Sequence, residues 1–167
     1  IIRLHPMVIM GSIVGAAFFY FQESPCFPPI ENTSVGTMLL VMLLGCTLLP
    51  LPLKFDIRGW TEMHPLNGPA WSLYYEYIGN ILYALFVRKF NKVALSVLVF
   101  VAGCFTVYRC LTAPAGDIVG GWALNWEQQY VGMVRLMYPF FGGLLLSRLG
   151  WLIRLEKRAF WWYSLLI

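Results

Sequence analysis

Read for polarity alone, the 167-residue chain resolves into six apolar stretches separated by short polar connectors. Residues 6–21, PMVIMGSIVGAAFFYF, form the first, and their Gly11 and Gly15, four apart, predict a face on which another helix packs closely. A loop over 22–35 follows, with Glu23, Glu31 and three prolines but no Lys or Arg. Residues 36–51 are apolar but short for a span of about 20 residues, and run into LPLPL. Residues 54–66 mix charges with Gly59, Trp60 and Pro65, the make-up of an interfacial loop. Two further apolar helices are predicted over 69–87 and 93–111. After a Gly- and Ala-rich loop at 112–124, Asn125 is a good N-cap with Gln128 three residues on, the pattern of a capping box. That helix should run to Arg148, and the last apolar run, AFWWYSLLI at 159–167, is too short to span.

Composition turns this pattern into a fold class. Hydrophobic residues make up 59% of the chain and charged residues 12%, whereas a soluble domain has about 25% charged residues. The seven Trp and nine Tyr suit a headgroup interface. The expectation is an all-α integral membrane protein, a multispanning bundle of five to six hydrophobic helices. The net charge of +4 sits in short connectors rather than on an amphipathic face, which excludes nucleic acid as a partner. With the basic loops 88–92 and 148–158 in the cytoplasm, spans 93–111 and 125–148 alternate properly between them. Segment 69–87 must then begin outside, so 36–51 is expected to be short or re-entrant.

Cys26, Cys46, Cys104 and Cys110 form no CxxC or Cys/His cluster, so no zinc site or disulfide framework is implied, and they read as buried apolar residues. His5 and His64 each precede a proline near a predicted membrane edge and read as interfacial hydrogen-bonding groups. The chain opens on Ile1 and stops inside an apolar run, the pattern expected of an internal piece, cut at both ends, of a longer multispanning protein.

Chemistry concentrates in two helices. On a helix over 69–87, Ser72, Glu76, Asn80 and Tyr83 fall within an arc of about 80°, and Leu73, Ile78, Ile81, Leu82, Leu85 and Phe86 occupy the other faces. Glu76 lies roughly 10 Å into the helix. An ionised carboxylate at the bilayer centre costs about 2.5–3.5 kcal/mol, so the stripe should face protein or a water-filled cavity, with a cation or a donor beside Glu76. Either Glu76 pins helix packing through a buried ion pair, or it belongs to a functional site. Arg135, about ten residues past Asn125, is the natural counter-ion for Glu76 or for a bound anion; the alternative is an Arg snorkelling to the interface. Pro139, four residues on, removes the backbone donor to the Arg135 carbonyl.

Three stretches in this order, RLHP (3–6), NGPAWSLYYE (67–76) and VRLMYPFFGGLLLSR (134–148), resemble acyltransferase family 3, the multispanning bacterial acyltransferases that modify surface carbohydrates. The WSLxxE element is the most specific of them. The resemblance spans the whole chain and implies part of a single transmembrane acyltransferase domain with about ten helices in the bacterial inner membrane. It implies O-acyl transfer, often of acetyl, from acyl-CoA as donor substrate to a hydroxyl of a cell-surface glycan or lipid-linked carbohydrate. No bound cofactor and no metal is implied.

Residue by residue, the resemblance makes Arg3 the second arginine of the family's RxxR element, holding phosphates of the donor, with Arg135 as a second donor-binding residue or an electrostatic support of the site. It makes Glu76 the supporter of a catalytic histidine borne on a helix upstream of Ile1; neither His5 nor His64 replaces that histidine. Asn67 and Trp71 shape the pocket, and Ser72, Asn80 and Tyr83 line it; with no base near Ser72 in sequence, its hydroxyl reads as a hydrogen-bonding group. Lacking that histidine, the 167 residues alone are expected to be inactive. A transporter or flippase with a midplane Glu/Arg site is the alternative from another class, but transporters often carry two matching halves and no internal repeat is visible.

Overall fold

The computed structural model describes residues 5–22, 28–114 and 116–150. Among them all regular structure is helical: α1 (His5–Phe21), a single turn α2 (Pro28–Glu31), α3 (Val35–Gly45), α4 (Ala70–Leu85), α5 (Lys92–Thr112) and α6 (Trp126–Leu149). The local sequence explains the boundaries. Ser34, Asn91 and Asn125 each take the extended N-cap conformation, and their side chains accept from the backbone N–H three residues on, at 3.2, 2.8 and 2.8 Å. Gly150 ends α6 in the left-handed conformation at φ 77°, which glycine adopts without a Cβ penalty. The capping box expected at Asn125 is only half made. The Gln128 side chain turns away from Asn125, and its Oε1 accepts from Gly121 N at 2.7 Å.

The helix in segment 36–51 is short, as the length of the apolar run and the alternation of the basic loops suggested. α3 has 11 residues, or about 16 Å, and ends with Gly45 against Ser12, midway along α1. There the chain reverses through Leu48, held at φ 61°. By Ile57 and Leu66 it has rejoined the apolar cluster of Ala16, Phe19, Ile30 and Met38, which holds the far end of α1 and the start of α3. The arm 46–69 therefore folds back along the face that α3 came from, and then delivers the chain to α4.

This return changes what the two glycines of α1 do. The group that packs on Gly11 and Gly15 is not another helix but the arm's backbone and the Asn67 side chain. A Cβ at Gly15 would run into the Leu66 carbonyl, and one at Gly11 would lie 2.5 Å from Asn67 Nδ2. The cysteines also differ from expectation. Cys104 is exposed, and Cys46 and Cys110 are half-buried. Cys26, Arg3 and the run 159–167 lie outside the described residues.

α5 and α6 pack along their length around Leu95, Val87 and Phe141. Arg148 near the end of α6 donates to the carbonyls of Val87, Arg88 and Phe90, which gathers the basic residues of the α4–α5 connector and of the α6 terminus at one end. α4 and α6 thus run in the same direction. Both α5, with 21 residues, and α6, with 24, are long and apolar enough to cross a membrane; α1 and α3 are apolar but shorter. The outer face of α5 carries exposed Val93, Val97, Phe100, Val107 and Leu111. An apolar face of that length is foreign to a water-facing helix.

Candidate functional site

α4 and α6 meet through small residues. Tyr75 is buried with its ring tip against the backbone of Gly132, where no side chain would fit. One turn on, a Cβ at Gly79 would sit 3.1 Å from Leu136. Alongside this contact the two helices leave a cleft of about 370 Å³, and Glu76 from α4 and Arg135 from α6 both open onto it, with Trp71, Ser72 and Pro139. The fold therefore brings together the two ionisable residues that the sequence singled out, from positions 59 residues apart in the chain (135 − 76).

They do not form an ion pair: no contact within 4.0 Å joins them, and the one pair of that kind among the described residues is Arg58–Glu62 at 3.4 Å. Arg135 is held otherwise. Its guanidinium lies over the indole of Trp71, 4.6 Å from the ring centroid, and its Nη1 donates to the Gly120 carbonyl at 2.8 Å. A carbonyl and a π-face both attract a cation without neutralising it. The guanidinium keeps its charge and has further N–H donors to offer a ligand. The Glu76 carboxylate is exposed and has no hydrogen-bond partner among the described residues.

The rest of the predicted stripe divides. Ser72 borders the cleft but returns its hydroxyl hydrogen bond to the Pro69 carbonyl at 2.9 Å, and Asn80 Nδ2 donates to the Glu76 carbonyl at 2.8 Å. Tyr83 is exposed, two turns beyond Glu76, and does not line the cleft. Asn67 is also apart from the cleft, with its Nδ2 directed at the Val8 carbonyl of α1 at 3.5 Å. Arg3 lies outside the described residues, but His5 places the start of α1: its Nδ1 is 3.4 Å from the Tyr77 hydroxyl, on the turn of α4 that carries Glu76.

Two supports of the site were not legible in the sequence. Gly120 and Gly121, at φ 142° and 107°, wrap the loop before α6 around the indole, and a Cβ on Gly121 would sit 3.1 Å from Trp71. A Gly-Gly pair in a polar loop looks like any turn, and only the Arg135–Trp71 stack shows what it packs against. The second support is the arm that precedes α4. Met63 N donates to the Trp122 carbonyl at 2.8 Å, which ties the arm to the α6 loop. In the arm, burial raises the Glu62 carboxyl above its ordinary value, against the opposing pull of Arg58. Burial also lowers the His64 imidazole to about 4. Among the described residues no group of His, Cys, Asp and Glu is arranged to hold a metal.

Among the described residues, all regular structure is helical, two helices are of membrane length, and an Arg/Glu cleft lies between α4 and α6. The family model described as an acyltransferase domain matches residues 1–167, and the chain belongs to that acyltransferase family, family 3. No curated protein and no solved structure matches it.

Proposed function

We propose that these residues form part of a multispanning O-acyltransferase of the bacterial inner membrane, which moves an acyl group, often acetyl, from acyl-CoA to a hydroxyl of a cell-surface glycan or lipid-linked carbohydrate. The observation that carries this reading is the α4–α6 cleft, where an unpaired carboxylate and a cation held without a counter-ion face one space in a chain of the acyltransferase family. An ion pair there would have consumed both groups. Left apart, each can act on a ligand.

In this reading the acceptor hydroxyl attacks the thioester carbonyl, the new C–O bond forms as the C–S bond breaks, and the hydroxyl proton passes to a histidine supplied from outside residues 1–167. A histidine suits that task because its ordinary pKa lies near neutrality. Glu76 orients that imidazole and stabilises the imidazolium that forms. Arg135 binds an anionic part of the donor through charge-assisted hydrogen bonds, and Arg3 holds donor phosphate. α5, α6 and α4 cross the bilayer, with the basic end at Arg88, Lys89 and Arg148 on the cytoplasmic side.

The test uses the full-length protein in membranes, with radiolabelled acetyl-CoA and its native glycan acceptor. Glu76→Gln should lower acyl transfer by about 100-fold, the size of a general acid/base contribution, with insertion and expression unchanged. Near-normal transfer by that variant rules out the role given to Glu76.

A further inference from the structure

His64 is the least explained polar residue in the structure. It is 3% exposed, it sits in the arm six residues before α4, and neither ring nitrogen meets a hydrogen-bond partner in the protein. Its neighbours close it in. Ser12 of α1 is 1% exposed, Val41 and Gly45 come from α3, and Tyr74 of α4 lies with its ring centroid 6.3 Å from the imidazole. A neutral imidazole offers one donor and one acceptor. Leaving such a group dry costs about 1–3 kcal/mol, and buried polar groups are satisfied by protein or by ordered water.

Beside the ring is a cavity of about 10 Å³, lined by His64, Ser12, Gly45, Leu51 and Asn67 among others. The size decides what can occupy it. A water molecule needs roughly 10–15 Å³ measured in this way, together with two to four polar partners, so one water is the occupant this size suits. His64, Ser12 and Asn67 are the polar side chains that line this space. The Ser12 hydroxyl can donate or accept. Asn67, whose Nδ2 is directed at the Val8 carbonyl, has its side-chain oxygen left to accept.

We propose that this cavity is a specific site for one water molecule, held by a ring nitrogen of His64, the Ser12 hydroxyl and Asn67, and that the water fastens the arm before α4 to α1. The site is separate from the α4–α6 cleft and does not depend on the acyl-transfer reading. It explains why a polar serine is buried on an otherwise apolar α1, and why α3 carries glycine at position 45. A Cβ there would stand 3.3 Å from Ser12 Oγ, inside the space that the water needs.

Two measurements on the full-length protein test it. In hydroxyl-radical footprinting, which labels side chains beside bound water, His64 should be modified at a rate comparable to the half-buried His5. Gly45→Ala should lower the His64 rate several-fold while the His5 rate stays the same. Ser12→Ala should reduce Tm by about 2–4 °C in the wild type and leave it unchanged in a His64→Phe background, because the two residues act through one shared water. Absence of His64 labelling at doses that modify His5 overturns the proposal. So do additive Ser12→Ala and His64→Phe losses. If His64→Phe does not fold, the footprinting comparison with Gly45→Ala decides alone.

Discussion

Arg135 rests on the face of Trp71, with its carbon centre 4.6 Å from the indole centroid and its Nη1 on the Gly120 carbonyl. The tryptophan of the WSLxxE element thereby positions a cation from another helix. The Glu of the same element faces the cleft that this cation borders.

The stack makes lysine a poor substitute at position 135. A guanidinium can lie flat on an indole and still direct N–H groups outward, whereas an ammonium is a compact, strongly hydrated point charge. A cation–π contact of this kind is worth about 0.5–2 kcal/mol. Trp71→Leu should therefore lower acyl transfer by roughly 3- to 30-fold, with the loss mainly in KM for the donor. Arg135→Lys should lower it at least as far. Full activity in Arg135→Lys would show that charge alone suffices.

The contact that forms the cleft is equally specific. Tyr75 fills the notch at Gly132, and a methyl group there has no room. Gly132→Ala should destabilise the protein by about 1–3 kcal/mol through overpacking, read as a lower Tm and lost activity. Tyr75→Leu in the same chain should recover part of the Tm, because it vacates the occupied space. Lack of any recovery would mean that α4 and α6 do not meet at this pair.

How much of this was legible in the sequence depends on the range of the interactions. The helices α1, α3, α4, α5 and α6 follow from apolar runs bounded by Ser34, Asn91, Asn125 and Gly150, all local signals, and their limits fall within a residue or two of the apolar segments except at α3. The return of the chain after Gly45 was visible as a shortage of length and in the alternation of the basic loops, which required 36–51 to be short or re-entrant. The reversal itself rests on contacts of Leu48, Ile57 and Leu66 with residues that are distant in sequence. Glu76 and Arg135 stood out because a charge is costly in apolar surroundings. What stands beside each of them did not. A counter-ion was the simplest partner for Arg135, and the structure supplies an aromatic face and a carbonyl. Neither can be inferred from spacing when 64 residues separate Trp71 from Arg135 (135 − 71).

The arm carries strain that can be relieved without touching the cleft. Thr61 is exposed and held at φ 57°, a conformation that costs a residue with a Cβ about 1–2 kcal/mol. Asp56 fixes it there, accepting from the backbone N–H groups of Arg58, Gly59 and Thr61 at 3.3, 3.0 and 2.6 Å. Because the Thr61 contact to Asp56 is through the backbone, glycine keeps it. Thr61→Gly should raise Tm, while Asp56→Ala should lower it by removing the acceptor for three N–H groups. A lower Tm in Thr61→Gly would mean that the side chain matters more than the backbone angle.

His64 gives the arm a pH dependence whose sign follows from its burial. Desolvation lowers its pKa from an ordinary value of 6.5 to about 4 in the folded protein. Between those values the unfolded chain binds a proton that the folded chain refuses, so stability rises with pH. The contribution is fully present above pH 6.5, is lost progressively as pH falls towards 4, and amounts to no more than about 3 kcal/mol across the window. Glu62, raised by the same burial, acts in the opposite sense: it takes up a proton more readily in the folded state, so its contribution favours the fold as the pH falls. The clean measurement is a difference between two chains that share Glu62. Tm recorded from pH 7.5 to pH 5 should fall further in the wild type than in His64→Gln, which has no proton to take up. Parallel curves for the two proteins would show that His64 is already protonated, or is open to solvent, in the folded state.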